Sequence, residues 1–256
     1  MFKVIHWIFL CGLACSGFAQ PLQLSQPKTN IHMAMVSKDN PQNLILDFRM
    51  VNTEIRFTQD GAEPTIKSKR YRKPIKVSKP TIIKAKVFHK DFASSETITA
   101  TFVDRGKKIL SYNISDPNPK YTGEGNKTLF DGQFGDMSYS NRYLGYDKGP
   151  IEMVIKPEVN ENISTIHFSN LINQGAWIFG PSKISVYDEN HNLLVENIFN
   201  DTTQKSVSNH RIYTLKFSKN KYGQLKLVID PLASIPDWHD GRGLHAWFFM
   251  DEVWVE

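Results

Sequence analysis

Cysteine is almost missing. Of 256 residues only Cys11 and Cys15 carry a thiol, and both fall within the first fifteen positions. The remaining chain has no means of forming a disulfide, a thiolate metal site or a cysteine nucleophile, so its stability must come from burial. Helical periodicity is nearly absent too, and with it the strand-helix alternation that a β/α barrel requires. No H-E-x-x-H or G-x-S-x-G motif occurs, and His167, His191, His210, His239 and His245 show no paired metal-ligand spacing. The charge excess is mild, +5. The one dense basic run, KSKRYRK at Lys67–Lys73, reads as a solvated hairpin, so no nucleic-acid partner is expected.

What is present begins with MFKVIHWIFLCGLACSGFAQ, in which Lys3 precedes an apolar run and Gly17 and Ala19 supply small residues before Gln20. This pattern predicts a secretory signal peptide over residues 1–19, whose apolar stretch is too short for a membrane span. Leu13-Ala14-Cys15-Ser16 offers an alternative, a lipid anchor on Cys15, although Gly12 stands where such sites usually carry Leu. A disulfide-free exported chain suits the periplasm or surface of a bacterium. Sequons at Asn113, Asn126, Asn162 and Asn200 read as chance in an Asn-rich chain.

Beyond the leader, apolar and polar residues alternate with period two. EIRFT, TIIKAKVF and TITATFV do so between the turn signals Asp60-Gly61 and Lys79-Pro80; IEMVI, STIHFS, KISVYD, RIYTLKF, QLKLVID and WFFMDEVWV do so later. Half-buried antiparallel strands produce this pattern, and the fold class expected is all-β. The spacing divides the chain into a sandwich over 26–104, a linker over 105–120 that is rich in Asn, Pro, Gly and Lys, and a second sandwich over 121–256.

Two stretches carry family resemblances. EIRFTQDGAEPT, with Ile55, Phe57, Thr58, Asp60, Gly61, Pro64 and Thr65 in a roughly I-x-Y-T-x-D-G-x-x-P-T pattern, resembles the chitobiase/β-hexosaminidase C-terminal-type domain. That resemblance implies an immunoglobulin- or fibronectin-like sandwich acting as spacer or scaffold. TLFDGQFGD, GAWIFGPSKISVYD and the tail IPDWHDGRGLHAWFFMDEVWVE resemble a discoidin-type, galactose-binding-like jelly-roll domain of the kind that ends bacterial family-20 β-hexosaminidases. It implies glycan binding, with N-acetylhexosamine as the sugar class. The Asp-Glu pair of those hydrolases sits in a barrel for which this chain has no room. Asp251 and Glu252, as neighbours on a strand, would point to opposite faces. No catalytic residue is expected.

The resemblance singles out Asp131, Asp136 and Glu252 for a structural calcium, a cation that takes six to eight oxygens. The plain alternative is a turn at Asp131-Gly132 and a solvated Glu252. For the glycan, Trp238, His239 and Arg242 lie on one loop and Asn141, Arg142 and Tyr143 on another, offering rings and hydrogen-bond donors. Equally, Trp238 closes the core and His239 satisfies a carbonyl. Trp177 and Trp247 sit beside apolar residues and read as core, with Trp177 also a candidate to converge on the loop residues; Trp254 alternates with Val253 and Val255 and is expected to face out. Two other functions stay open: a module docking onto a protein partner such as a hydrolase, and an orphan hydrolase built on Asp237, His239, Asp240 and His245.

Overall fold

The computed structural model describes residues 21–137, 142–158, 161–199 and 208–256. The leader with Cys11 and Cys15, and also Asn141 and Asn200, lie outside the described residues.

The first unit contains β1 (Lys28–Thr29), β2 (Met33–Val36), β3 (Gln42–Leu44), β4 (Leu46–Asp47), β5 (Glu54–Thr58), β6 (Lys69–Arg70), β7 (Ile75–Val77), β8 (Thr81–Phe88) and β9 (Ile98–Asp104). A five-stranded sheet runs β2-β9-β8-β5-β6, with β2 parallel to β9 and the rest antiparallel. The pairs β1-β4 and β3-β7 lie outside that sheet. The period-two pattern works as expected: Ile83, Ala85, Ile98, Ala100, Phe102 and Phe57 enter one core with Val36, Leu44 and Val77. Each larger side chain of this set, fully buried, contributes about 1.5–3 kcal/mol of transfer free energy, and each alanine less. Gly61, at φ 77°, supplies the positive φ that the Asp60-Gly61 turn demands.

The second unit contains β10 (Ile109–Ile114), β11 (Leu144–Tyr146), β12 (Ile151–Pro157), β13 (Ile163–Asn173), β14 (Pro181–Tyr187), β15 (Leu193–Ile198), β16 (Ser208–Asn220), β17 (Leu225–Pro231) and β18 (Phe248–Val255). Two antiparallel sheets, β10-β12-β17-β14-β15 and β11-β18-β13-β16, face each other across Met153, Ile155, Phe168, Ile184, Leu215, Leu227, Phe248 and Met250. The composition of 105–120 predicted a linker, but β10 pairs with β12 from Ile109↔Pro157 to Ile114↔Met153 and is an edge strand of this sandwich. Ile109–Tyr112 is the one strand-like piece of that stretch, and its signal is weak because an edge strand buries little: β10 has only half-buried and exposed positions.

Two further expectations change. Trp254 does not face out; it is 3 % exposed and stacks on His167 at 4.8 Å. Along β18 the register jumps from Ser169↔Glu252 to Asn170↔Met250, a bulge that breaks strict alternation at Asp251 and Glu252. Because the strands alternate in direction, residues 147–150, 174–180 and 232–247 gather at one end of the sandwich, with 115–121 leaving β10 at the same end. No helix among the described residues is long and apolar enough to cross a membrane.

Candidate functional site

At this end a short 3-10 turn, Gln174–Ala176, leads into Trp177. Trp177 has φ 64°, a left-handed conformation that a bulky side chain adopts only when its surroundings impose it. Here they do. Its N–H donates to Gln174 O at 2.9 Å, its carbonyl accepts from Trp247 N–H at 2.8 Å, and Phe179 N–H donates to Trp247 O at 2.9 Å. The result is an indole held 39 % exposed beside a cleft of about 270 Å³ lined by Tyr121, Gly175, Ala176, Ile178, Trp247 and Phe249. Tyr121 meets Trp247 edge-on at 5.2 Å and Phe249 at 4.8 Å, so the walls are interlocked rings. Trp177 is therefore not core, and Trp247 is half-buried as one wall of the cleft.

Trp238 and His239 lie behind that wall. His239 Nε2 donates to Gln174 O at 2.9 Å while Nδ1 accepts from Gly241 N–H at 3.0 Å, which fixes the tautomer and leaves neither ring nitrogen for a ligand. Trp238 leans on Phe179, Ile235 and Ala246. Gly241 sits against the indole of Trp177, where a Cβ would meet its ring at 3.0 Å. The loop thus braces the turn that presents Trp177. Arg242, whose N–H donates to His239 O at 3.0 Å, stays exposed on its surface.

The second predicted group separates from the first. Tyr143 is 1 % exposed; its hydroxyl donates to Asp136 O at 2.5 Å and its oxygen lies against His210 Nε2. Burial drives its pKa upward and pushes His210 down to about 4. Tyr143 is consequently a packing residue and offers no face to a sugar. Arg142 Nη1 donates to Gln133 Oε1 at 2.6 Å, which commits it to the 131–136 loop, so the expected convergence of Arg142 and Tyr143 with Trp177 or Trp238 does not occur. Tyr121 was missed in the sequence because it stands among turn residues, YTGEG, with no period to mark it.

The same 131–136 loop covers two buried acids. Gln133 N–H donates to both Asp131 Oδ1 at 2.6 Å and Glu252 Oε1 at 2.8 Å, drawing those carboxyls to one amide. Gly135 N–H donates to Asp251 Oδ2 at 2.7 Å. Asp251 and Glu252 are both fully buried, and Oδ1 of the first and Oε2 of the second have no hydrogen-bond partner. Burial, and then the neighbouring Asp131 carboxyl, push the Glu252 pKa up to about 10; burial raises Asp251 to about 6. Asp136 stays on the Tyr143–His210 side of the loop, its charge acting on both. Asp131 and Glu252 are thus brought together, and Asp136 is not brought to them.

Three comparisons with known proteins bear on this chain. Among curated proteins none matches. Among solved structures, CpGH89CBM32-5 from Clostridium perfringens, in complex with GalNAc-β-1,3-galactose, is similar at 18% identity and a TM-score of 0.37, over 58% of this chain and 99% of that one. The lectin domain of lectinolysin complexed with Lewis B antigen is similar at 13% identity and a TM-score of 0.38, over 57% and 91% of the two chains. A fucose-binding module from Streptococcus pneumoniae gives 14% identity and a TM-score of 0.37, over 57% and 89%. Residues 34–99, the greater part of the first sandwich, match the family model of the chitobiase/beta-hexosaminidase C-terminal domain.

Proposed function

We propose that this protein is a non-catalytic glycan-binding protein that takes N-acetylhexosamine-containing sugars in the Tyr121–Trp177–Trp247 cleft. One observation carries the reading: an exposed indole, held at φ 64° beside an aromatic cleft at the loop end of a rigid sandwich. Aromatic faces stack on the apolar C–H faces of pyranose rings, and an acetamido methyl suits a wall made of Ala176, Ile178 and Phe249. The cleft is shallow and buries little of a ligand, so affinity per site is weak. Glycosidic cleavage needs two carboxyls flanking the bond, and no Asp or Glu is among the residues lining the cleft.

Two subsidiary readings accompany it. Asp131 and Glu252, with the unpartnered Glu252 Oε2, are the residues that would hold a structural calcium, whose charge would favour the ionised carboxyls. The signal-like pattern of residues 1–19 supports an address outside the cytoplasm, with a lipid on Cys15 as the alternative form of export.

The test is a glycan array on the mature chain, followed by titration of tryptophan fluorescence with a chitin oligosaccharide. Binding that disappears in Trp177→Ala, without loss of thermal stability, is the expected result. Silence towards every sugar would overturn the reading, and turnover of a nitrophenyl N-acetylglucosaminide that depends on His239 would replace it with a hydrolase.

A further inference from the structure

Between Glu63 and Asp91 the chain holds ten Lys and Arg and no Asp or Glu. The fold sorts these cations into two sets. Arg70, Arg56 and Lys86 are register partners across β6, β5 and β8, and they are neutralised on the outer face of the sheet. Glu54 pairs with Arg56 and with Arg70 at 3.0 Å, and Glu63 pairs with Lys84 at 2.6 Å and Lys86 at 3.8 Å. Lys90 pairs with Asp91 at 3.8 Å and Lys79 follows β7; the other five lie along the segment that runs through β6 into β7. There Lys67, Lys69, Arg72, Lys73 and Lys76 are all exposed, and none has an ion pair among the described residues. Lys69 instead rests over the Phe57 ring at 5.5 Å, which orders its stem along the edge of the core.

We infer that this edge of the first sandwich binds an anionic polysaccharide, one carrying carboxylate or sulfate groups along its chain. Five exposed cations, none ion-paired among the described residues, fall within ten residues of the chain and leave this segment with a concentrated positive charge. Such a run attracts a polyanion by releasing its counterions. Nucleic acid fits less well, because single strands need rings on which bases stack. The one aromatic in the run, Tyr71, packs on the core and its hydroxyl accepts from Leu46 N–H at 3.1 Å. The inference concerns a surface separate from the Trp177 cleft and does not depend on it.

The experiment uses the mature chain on immobilised heparin, on polygalacturonate and on neutral dextran, at about 50 mM and about 300 mM salt. Retention on one or both acidic polymers, lost at the higher salt and absent on dextran, is expected. The substitutions Lys67→Gln, Lys73→Gln and Lys76→Gln together weaken that binding about tenfold or more. Removing the same number of charges elsewhere, by Lys38→Gln, Lys219→Gln and Lys221→Gln, changes it less than threefold or so. Trp177→Ala leaves the polyanion binding intact, which separates a failure here from a failure of the cleft. Equal losses from the two triple variants, no retention at low salt, or tighter binding to single-stranded DNA or to anionic lipid vesicles than to either polysaccharide would each overturn the inference.

Discussion

Asp251 and Glu252 are consecutive in the last strand, yet both accept hydrogen bonds from one loop, Asp251 from Gly135 N–H at 2.7 Å and Glu252 from Gln133 N–H at 2.8 Å. An ideal strand would send them to opposite faces. The bulge between the Asn170↔Met250 and Ser169↔Glu252 pairs inserts one extra residue, so Met250 and Val253 both reach the core and the two acids between them do not. The sandwich therefore ends in two desolvated carboxyls stacked under the 131–136 loop, each with one oxygen unpartnered.

This arrangement makes stability depend on pH. Glu252 titrates at about 10 in the folded state and near 4.5 when unfolded. Between those values the native protein holds a proton that the unfolded chain releases, so stability falls as pH rises through that window. Asp251, raised to about 6, would add to the fall in mild acid, but His210, pushed down to about 4, gains its proton there only on unfolding and offsets it. In chelator, the melting temperature should therefore drop by several degrees from about pH 6.5, above which His210 is neutral in both states, into mild alkali. Glu252→Gln, which cannot ionise, should flatten the curve above pH ~6 and melt higher than the wild type in mild alkali. A wild-type curve that rises with pH over the same range would refute the assignment.

Calcium should reverse that slope. A cation between Asp131 and Glu252 favours the ionised carboxyls, so metal binding competes with the proton and tightens as pH rises. At one hundred times its Kd, calcium would stabilise by about 2.7 kcal/mol, several degrees in melting temperature. Asp131→Asn and Glu252→Gln should each abolish the shift while Asp136→Asn leaves it, since Asp136 stands with Tyr143 and His210. Calorimetry with and without chelator decides it.

The sandwiches were legible from the sequence because alternation is a direct imprint of a two-faced sheet: Ile83, Ala85 and Val87 are buried while Lys84 and Lys86 face outward, as their spacing demanded. The site was legible only in part. Candidate rings and acids could be placed on loops and strands, but their directions depend on features with no local signature. The bulge at Asp251 answers to the register of β13, not to the residues around it. Trp177 looks like core among Ala176, Ile178 and Phe179 until a left-handed φ turns its ring outward. Tyr143 looks like a platform until its hydroxyl is found committed to Asp136 O and His210.

Trp177 provides a test that separates backbone strain from ligand contact. Its φ of 64° costs a non-glycine residue free energy that glycine does not pay. Trp177→Gly should therefore be at least as stable as Trp177→Ala, the difference being about 0.5–1 kcal/mol. Both should lose glycan binding to the same extent, about tenfold or more, because both lack the ring. Paired denaturant melts and sugar titrations would show it. A glycine variant less stable than the alanine one would mean that the left-handed conformation is not present in solution.

Gly241 tests whether the Trp238–His239 loop acts through position rather than contact. A Cβ at Gly241 would stand 3.0 Å from Trp177 Cε2, 3.1 Å from its Nε1 and 3.3 Å from Ile235 Cδ1, tight enough that a neighbour must give by a few tenths of an ångström. Residue 241 has an ordinary φ, so the substitution strains no backbone of its own. The indole, exposed on its other side, is the element free to give way. Gly241→Ala should tilt it out of register with Tyr121 and Trp247 and weaken glycan binding several-fold, at a stability cost near 1 kcal/mol. His239→Ala removes the hydrogen bond to Gln174 O that holds the same turn. It should weaken binding comparably and melt lower by a few degrees. If His239 contacted the sugar directly, a glutamine there would restore nothing. As a brace, His239→Gln, whose amide can still donate to Gln174 O, should recover part of both the affinity and the melting temperature.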